Sequence, residues 1–354
     1  MKSEKKKSKK GLIILLAVIV LLILVGVGGY IAFDRHMAYT IIEHESYNIE
    51  VMREENRPVG DYSTVYYTTD ISPEGLMKAY EALGKELPGK VAVKLSTGEG
   101  GNPNYLSPDL IKDLVKEVDG TIVECNTAYS GSKRAETEMH LQVAKDHGFT
   151  AIADVDIMDA DGYMVIPVEG GVHLKENWVG KNLANYDSML VLTHFKGHPM
   201  GGFGGALKNI SIGVASSEGK VRIHSAGLLK TPPINIAGTI TNQDDFTDSM
   251  AEAAKSVYDY EGNGENIIFI TVMNRMSVDC DCVSSPAEVD MHDIGIFASL
   301  DPVALDQACI DKVFEAEDGT SLQNRILSLN GLNILKHAEE IGFGRRAYEL
   351  ISLD

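Results

Sequence analysis

Short apolar runs alternate with amphipathic segments over most of the chain, and this alternation limits the fold more than any other feature of the sequence. The runs are TVYYT (64–68), KVAVKL (90–95), TIVEC (121–125), YMVIPV (163–168), SMLVLTH (188–194), NIIFITVM (266–273) and IGIFAS (294–299). Between them lie SPEGLMKAYEALG, SPDLIKDLVKEV, RAETEMHLQVAKDHG, DDFTDSMAEAAKSVYDY and DPVALDQACIDKVFEA, with apolar residues at helical spacing. Strand and helix in turn predict an α/β fold, with mostly parallel or mixed sheet flanked by helices in one or two lobes. Several helices open on Ser-Pro or Asp-Pro, a capping residue followed by proline at the first helical position; Asp301 before Pro302 is such a cap. With 354 residues, 44% of them hydrophobic, the chain can bury a full core.

Ahead of this body the composition changes. Residues 1–10 carry six lysines against one glutamate, and Gly11 to Phe33 runs 23 residues without a charge. At about 1.5 Å per residue that stretch can span a hydrocarbon core of about 30 Å, and it exceeds the usual signal-peptide core of about 7–15 residues. No small-x-small cleavage site or lipid-attachment cysteine follows it, so a retained single-pass anchor in the lipid bilayer is expected. The lysines place residues 1–10 in the cytoplasm, which puts the body outside the membrane; a cleaved signal peptide would give the same compartment. Residues 34–60 read as a stalk, 61–354 as the α/β domain, and Thr231–Gly238 as an internal seam. The net charge is −19 even with the basic tail included, and so acidic a body excludes nucleic acid as a partner.

In open α/β sheets ligands sit off the carboxyl ends of strands, which gives first weight to the residues after each apolar run. After KVAVKL comes a glycine-bearing loop with Lys94 and Glu99; after TIVEC comes one with Asn126 and Arg134, an amide and a guanidinium suited to a carboxylate or phosphate. Flexible turns and helix caps explain the same residues in structural terms. After SMLVLTH comes THFKGHPMGGFGGALKN (193–209), with two histidines, two lysines and five glycines.

This last loop matches neither GxxxxGK[ST] nor GxGxxG, so ready-made nucleotide motifs fail. Its glycines at Gly201, Gly202, Gly204 and Gly205 leave amides bare, and a helix starting at Ala206 would aim its dipole at an anion there, beside Lys208 and Asn209. His194, His198 and, further on, His224 suit acid–base work near neutral pH or metal ligation. Cys280 and Cys282, two apart on an extended segment, face one side and can share a transition metal, with Asp293, next to the IGIFAS run and near them in sequence, as a further candidate ligand. No cysteine spacing suggests a disulfide framework.

Five segments in order carry a resemblance: KLSTGEGGNPNYLSP, NTAYSGSKRAETEMHLQVAKDHGF, HFKGHPMGGFGGALKNISIGVAS with His224-Ser225, the Cys-Asp-Cys at 280–282, and DIGIFASLDPVALDQACID. Over about residues 60–354 the chain resembles the prokaryotic domain-of-unknown-function family numbered 362, described as uncharacterised iron–sulfur centre proteins. Many members carry a ferredoxin-like insert before the Cys-Asp-Cys element. Residues 226–279 contain no cysteine, so no ferredoxin-type iron–sulfur cluster is expected. Locally, Gly204-Gly-Ala-Leu-Lys208 and His224 are similar to the Gly-Gly-x-Lys segment and catalytic histidine of nickel-pincer lactate racemases, with one residue's difference in spacing.

Together these readings describe an anchored, outward-facing domain that binds a metal or small anionic cofactor or metabolite at the Gly/His/Lys loop. The chemistry expected is redox or isomerase-type, with His194, His198, Lys208 and His224 catalytic. The rivals are a non-catalytic extracytoplasmic receptor and an inactive scaffold form of the fold. Substrate, metal identity and oligomeric state are left open by the sequence.

Overall fold

The longest apolar runs form strands buried on both sides, which is why they do not alternate with polar residues. In β7 (Ser188–His194), Met189 and Val191 enter one core cluster while Leu190 and Leu192 enter another across the sheet. β10 (Ile267–Met273) does the same, with Ile267 and Phe269 on one face and Ile268 and Ile270 on the other. The structure is a computed structural model describing residues 62–129, 131–229 and 242–354. The tail, anchor and stalk read from residues 1–60, and the seam at 231–238, lie outside the described residues. Among the described residues no helix is long and apolar enough to cross a membrane.

The remaining strands of the main sheet are β1 (Ser63–Thr68), β2 (Val91–Lys94), β3 (Thr121–Glu124), β4 (Val155–Ile157), β11 (Gly295–Ser299) and β12 (Tyr348–Ser352). The eight strands lie in the order β12-β1-β11-β10-β7-β2-β3-β4, and β10 through β4 are parallel. β11 runs antiparallel to both neighbours. No helix separates it from β10; the chain between them stays at one edge of the sheet and returns from there. The α/β expectation is met: the described residues belong to one compact unit built on a mixed sheet, with no second lobe among them.

Helices α1 (Pro73–Ala82) and α2 (Pro108–Glu117) cover one face; α3 (Thr137–Asp146) follows β3. The other face is covered by α4 (Ala206–Ser211), α5 (Ser217–His224), α6 (Gln243–Tyr260), α7 (Pro302–Glu315), α8 (Thr320–Ser328) and α9 (Asn333–Glu340). Asp301 caps α7 as its sequence indicates, accepting from the Val303 and Ala304 N–H groups. YMVIPV forms β5 (Tyr163–Pro167) but stays out of the main sheet, pairing only with β6 (Glu176–Gly180). Its outer positions are exposed and Pro167 has no N–H to give, so it suits an edge.

The turn beyond β5 is tied to α6 by one carboxylate. Glu252, wholly buried, accepts from the backbone N–H groups of Val172, His173 and Leu174 and from His337 Nε2. Burial works against its charge, but the His337 bond and the backbone donors hold its carboxyl below the usual range; the same bond raises His337. The share of stability due to Glu252 is complete above the ordinary carboxylate range and lost as pH falls through its lowered value. That due to His337 is complete below about pH 6.5 and lost as pH rises through its raised value. Glu252→Ala is expected to cost about 2–3 kcal/mol in chemical unfolding, three N–H groups losing their acceptor, and to remove the His337-linked loss on the alkaline side.

Candidate functional site

The carboxyl ends of β2, β3 and β7 lie along one edge of the sheet. β2 leads through α2 to β3 and β4 on one side, whereas β7, its other neighbour, leads toward β10 on the other. The strand order therefore reverses between β2 and β7, and a crevice opens where their loops diverge to opposite faces. Lys94 ends β2, Glu124 and Cys125 end β3, and His194 ends β7; all four line one cavity of about 560 Å³.

After β7 the chain turns back on itself as β8 (Lys196–His198) and β9 (Gly202–Gly204), then enters α4. The expected helix at Ala206 is present, but the anion at its N-terminus is the protein's own. Asp306 of α7 accepts from Ala206 N–H at 2.7 Å and Leu207 N–H at 3.0 Å, with burial raising its carboxyl to about 7. Gly205 is required by that contact, since a Cβ there would stand 2.3 Å from Asp306 Oδ1. Gly202, at φ +83°, packs against Gly331, where a Cβ would come within 2.9 Å of the facing Cα. Gly201 gives its N–H to His198 Nδ1 at 2.8 Å, and Gly204 pairs with Lys196 across the hairpin. The glycines expected to expose amides to a ligand are thus occupied by the chain itself.

The Cys-Asp-Cys segment closes over this hairpin. Asp281, fully buried, accepts from His194 Nδ1 at 2.8 Å and from Lys196 Nζ at 2.7 Å, while His194 Nε2 faces the Asn274 carbonyl at 2.7 Å. Both ring nitrogens of His194 point at oxygen acceptors, which leaves neither available as a base. Lys208 Nζ lies 3.0 Å from Cys280 Sγ, and the Cys282 N–H also points at that sulfur. A hydrogen bond from the Cys282 thiol, then the charges of Lys208 and Lys196, hold Cys280 well below the usual thiol range, while the same bond pushes Cys282 up.

The two other histidines on the cavity wall are neutral. Burial, with Lys208 nearby, drives His198 well below the usual range, and burial brings His224 down to about 4. Their hydrogen bonds assign opposite tautomers. His198 Nδ1 accepts the Gly201 N–H, so its proton sits on Nε2; His224 Nδ1 lies 2.6 Å from the Lys220 carbonyl and must donate, so its Nε2 carries the lone pair.

Other expected site residues serve the scaffold. Arg134 lies between Glu124 at 3.3 Å and Glu99 at 3.6 Å, both buried, so its charge is already answered. Glu99 also accepts from Ser132 Oγ and from the Lys133 and Gly100 N–H groups, and its own N–H bonds the Asp281 carbonyl. Asn126 is engaged by Thr137 and His140, off the cavity. Asn209 Nδ2 bonds the Lys94 and Leu192 carbonyls and the Thr193 hydroxyl. Asp293 is not brought to the cysteines; its carboxylate accepts from Arg275 N–H and it lines a separate surface pocket with His292 and Asp318. Sequence reasoning passed over Lys196, Lys220, Asp281 and Asp306. Lys196 had a usable signal, lying at strand alternation between His194 and His198.

The donor set for a metal is His198, Cys280 and Cys282, whose ligand atoms lie within 4.8 Å of one another. The two sulfurs fit a soft ion. The imidazole fits only if it gives up the Gly201 N–H, because with Nδ1 accepting and Nε2 protonated it has no free lone pair.

The family model described as "Domain of unknown function (DUF362)" matches residues 91–311. The chain belongs to this family. No curated protein matches it. Among solved structures the DUF362 chain is similar to the lactate racemase apoprotein from Thermoanaerobacterium thermosaccharolyticum, at 14% identity and a TM-score of 0.41 over 73% of this chain. It is also similar to a structural-genomics target from Thermotoga maritima, at 13% identity and a TM-score of 0.37 over 76% of this chain. In each case the match spans 58% of the other protein's length.

Lys208→Met is expected to move the pH midpoint of Cys280 alkylation by iodoacetamide upward by at least about one unit, with loss of the ammonium that contacts the sulfur. Peptide mapping of the alkylated site reads this directly. Gly205→Ala is expected to destabilise the protein by about 1–3 kcal/mol through the clash with Asp306, measured by chemical denaturation.

Proposed function

We propose that this DUF362 protein is a single-pass, membrane-anchored protein whose extracytoplasmic body binds a small organic anion beside a soft transition metal and moves protons on it in an isomerase-type reaction. The observation that carries the chemical part is the pair of neutral histidines lining the cavity. His224 Nε2 presents a lone pair that can take a proton, and His198 Nε2 presents an N–H that can hold a ligand oxygen. A pair that accepts at one point and donates at another suits proton abstraction next to a polarised carbonyl or carboxylate.

The anionic ligand is supported by charge. Lys94, Lys196, Lys208, Lys220 and Arg134 line the cavity against Glu124 as the one lining carboxylate among the described residues. Of these, Lys220 donates its ammonium only to the Ala215 carbonyl among the described residues, and burial lowers it. Lys196, Lys208 and Arg134 are already paired within the chain, so Lys220 is the ammonium best placed to meet an anion there. A soft divalent ion held by Cys280 and Cys282 would supply Lewis acidity toward the ligand's oxygen. The anchor and the outward orientation rest on the uncharged 11–33 stretch and the lysines before it.

Native mass spectrometry and metal analysis of the full-length chain test the binding. The expected result is a co-purifying anion with one metal ion per chain, the ion lost in Cys280→Ser and Cys282→Ser. Returned to the stripped protein in heavy water, the anion should exchange a carbon-bound hydrogen, at a rate lowered about 10²–10⁴-fold in His224→Ala. Binding without exchange would favour the receptor; absence of any bound anion or metal would overturn both readings.

A further inference from the structure

We propose that Lys94 is a nucleophilic amine that condenses with the carbonyl of an anionic aldehyde or ketone bound in the cavity, forming an imine. This rests on the cavity being a ligand site, as proposed above, but on none of the histidine or metal chemistry.

Lys94 is almost wholly buried, and its Nζ donates to the Leu95 carbonyl at 2.6 Å and to Asn209 Oδ1 at 3.0 Å. Both acceptors are neutral. An ammonium has three N–H donors and would leave one without a partner; a neutral amine has two, satisfies both acceptors, and keeps its lone pair in the remaining tetrahedral direction. Among the described residues no carboxylate is in hydrogen-bond contact with Lys94 to hold its charge. Burial is the main force lowering it, to about 8, opposed by Glu124 through space and assisted by Lys220 and Lys208. A lysine desolvated beside other cations is the arrangement that makes an amine nucleophilic near neutral pH.

Space beside the nitrogen comes from Gly213, which also lines the cavity. A Cβ at that position would stand 2.2 Å from the Asn209 carbonyl and 2.8 Å from Lys94 Nζ, so only glycine lets the backbone pass here without a side chain crowding the amine. Lys220, the other buried lysine whose one described acceptor is neutral, offers its remaining N–H groups to the ligand's anionic group. In the reaction Nζ bonds to the carbonyl carbon, the carbonyl oxygen leaves as water with both amine hydrogens, and a C=N bond remains. No oxidant or reductant is consumed.

The test uses glyoxylate with sodium cyanoborohydride on the full-length chain, followed by digestion and peptide mass mapping across a pH series. Lys94 is expected to be alkylated at pH 7.5 at least about tenfold faster than surface lysines, with its midpoint near the lowered value and not near the ordinary lysine value of about 10.4. Lys94→Arg should leave only slow surface labelling, and Gly213→Ala should slow labelling at Lys94. The wild-type pH series decides the matter even where a variant fails to fold. Surface lysines labelled with Lys94 untouched, or Lys94 labelled with the midpoint of a surface lysine, would overturn the proposal. Neither outcome depends on a metal or on deuterium exchange, so failure here is distinct from failure of the isomerase reading.

Discussion

A single buried carboxylate holds the loops of the crevice together. Asp281 spends one oxygen on His194 at the end of β7 and the other on Lys196 in the hairpin that follows. Its carbonyl accepts the Glu99 N–H from the loop after β2. Three loops from different strands thus meet at one residue. Burial alone would raise its pKa, but Lys196 and His194 hold it ionised. A buried carboxylate without its cations costs several kcal/mol, which ties the position of Cys280 and Cys282 on either side of it to the geometry of the hairpin.

That arrangement sorts the titratable groups into those already answered and those left open. His194, Lys196 and Arg134 are matched to carboxylates or carbonyls at close range, and their work is structural. Lys208 is matched to the Cys280 sulfur, a softer partner than a carboxylate. Lys94, Lys220, His198 and His224 have neutral partners, and burial lowers each of them. Groups in this second set keep donors or lone pairs open at the cavity, which makes them the candidates for chemistry there.

Much of the fold was legible because its signal is local. Each long run buried on two faces became a strand, and Ser-Pro and Asp-Pro marked helix starts. What escaped were short elements such as β8, β9 and α5, whose order comes from packing and not from their own periodicity. At the site, the strand-end rule picked out His194, Lys94 and the Gly-rich loop, since the parallel sheet puts those ends on one edge. It assigned their roles less well. Asp306 lies about a hundred residues from the helix it caps, and nothing near Ala206 in sequence announces it.

By itself, then, the sequence determined the α/β class, the edge of the sheet on which the titratable residues gather, the family to which the chain belongs and the absence of cysteines where a ferredoxin-like insert would stand. Only the tertiary structure decided which groups are free to act. Charge, tautomer and nucleophilicity depend on partners that arrive from distant segments: Asp281 on His194, Asp306 on the Gly-rich helix, Gly201 on His198 and Asn209 on Lys94. A residue's type fixes what it can do, but whether its donors and lone pairs are already spent is a property of the folded chain.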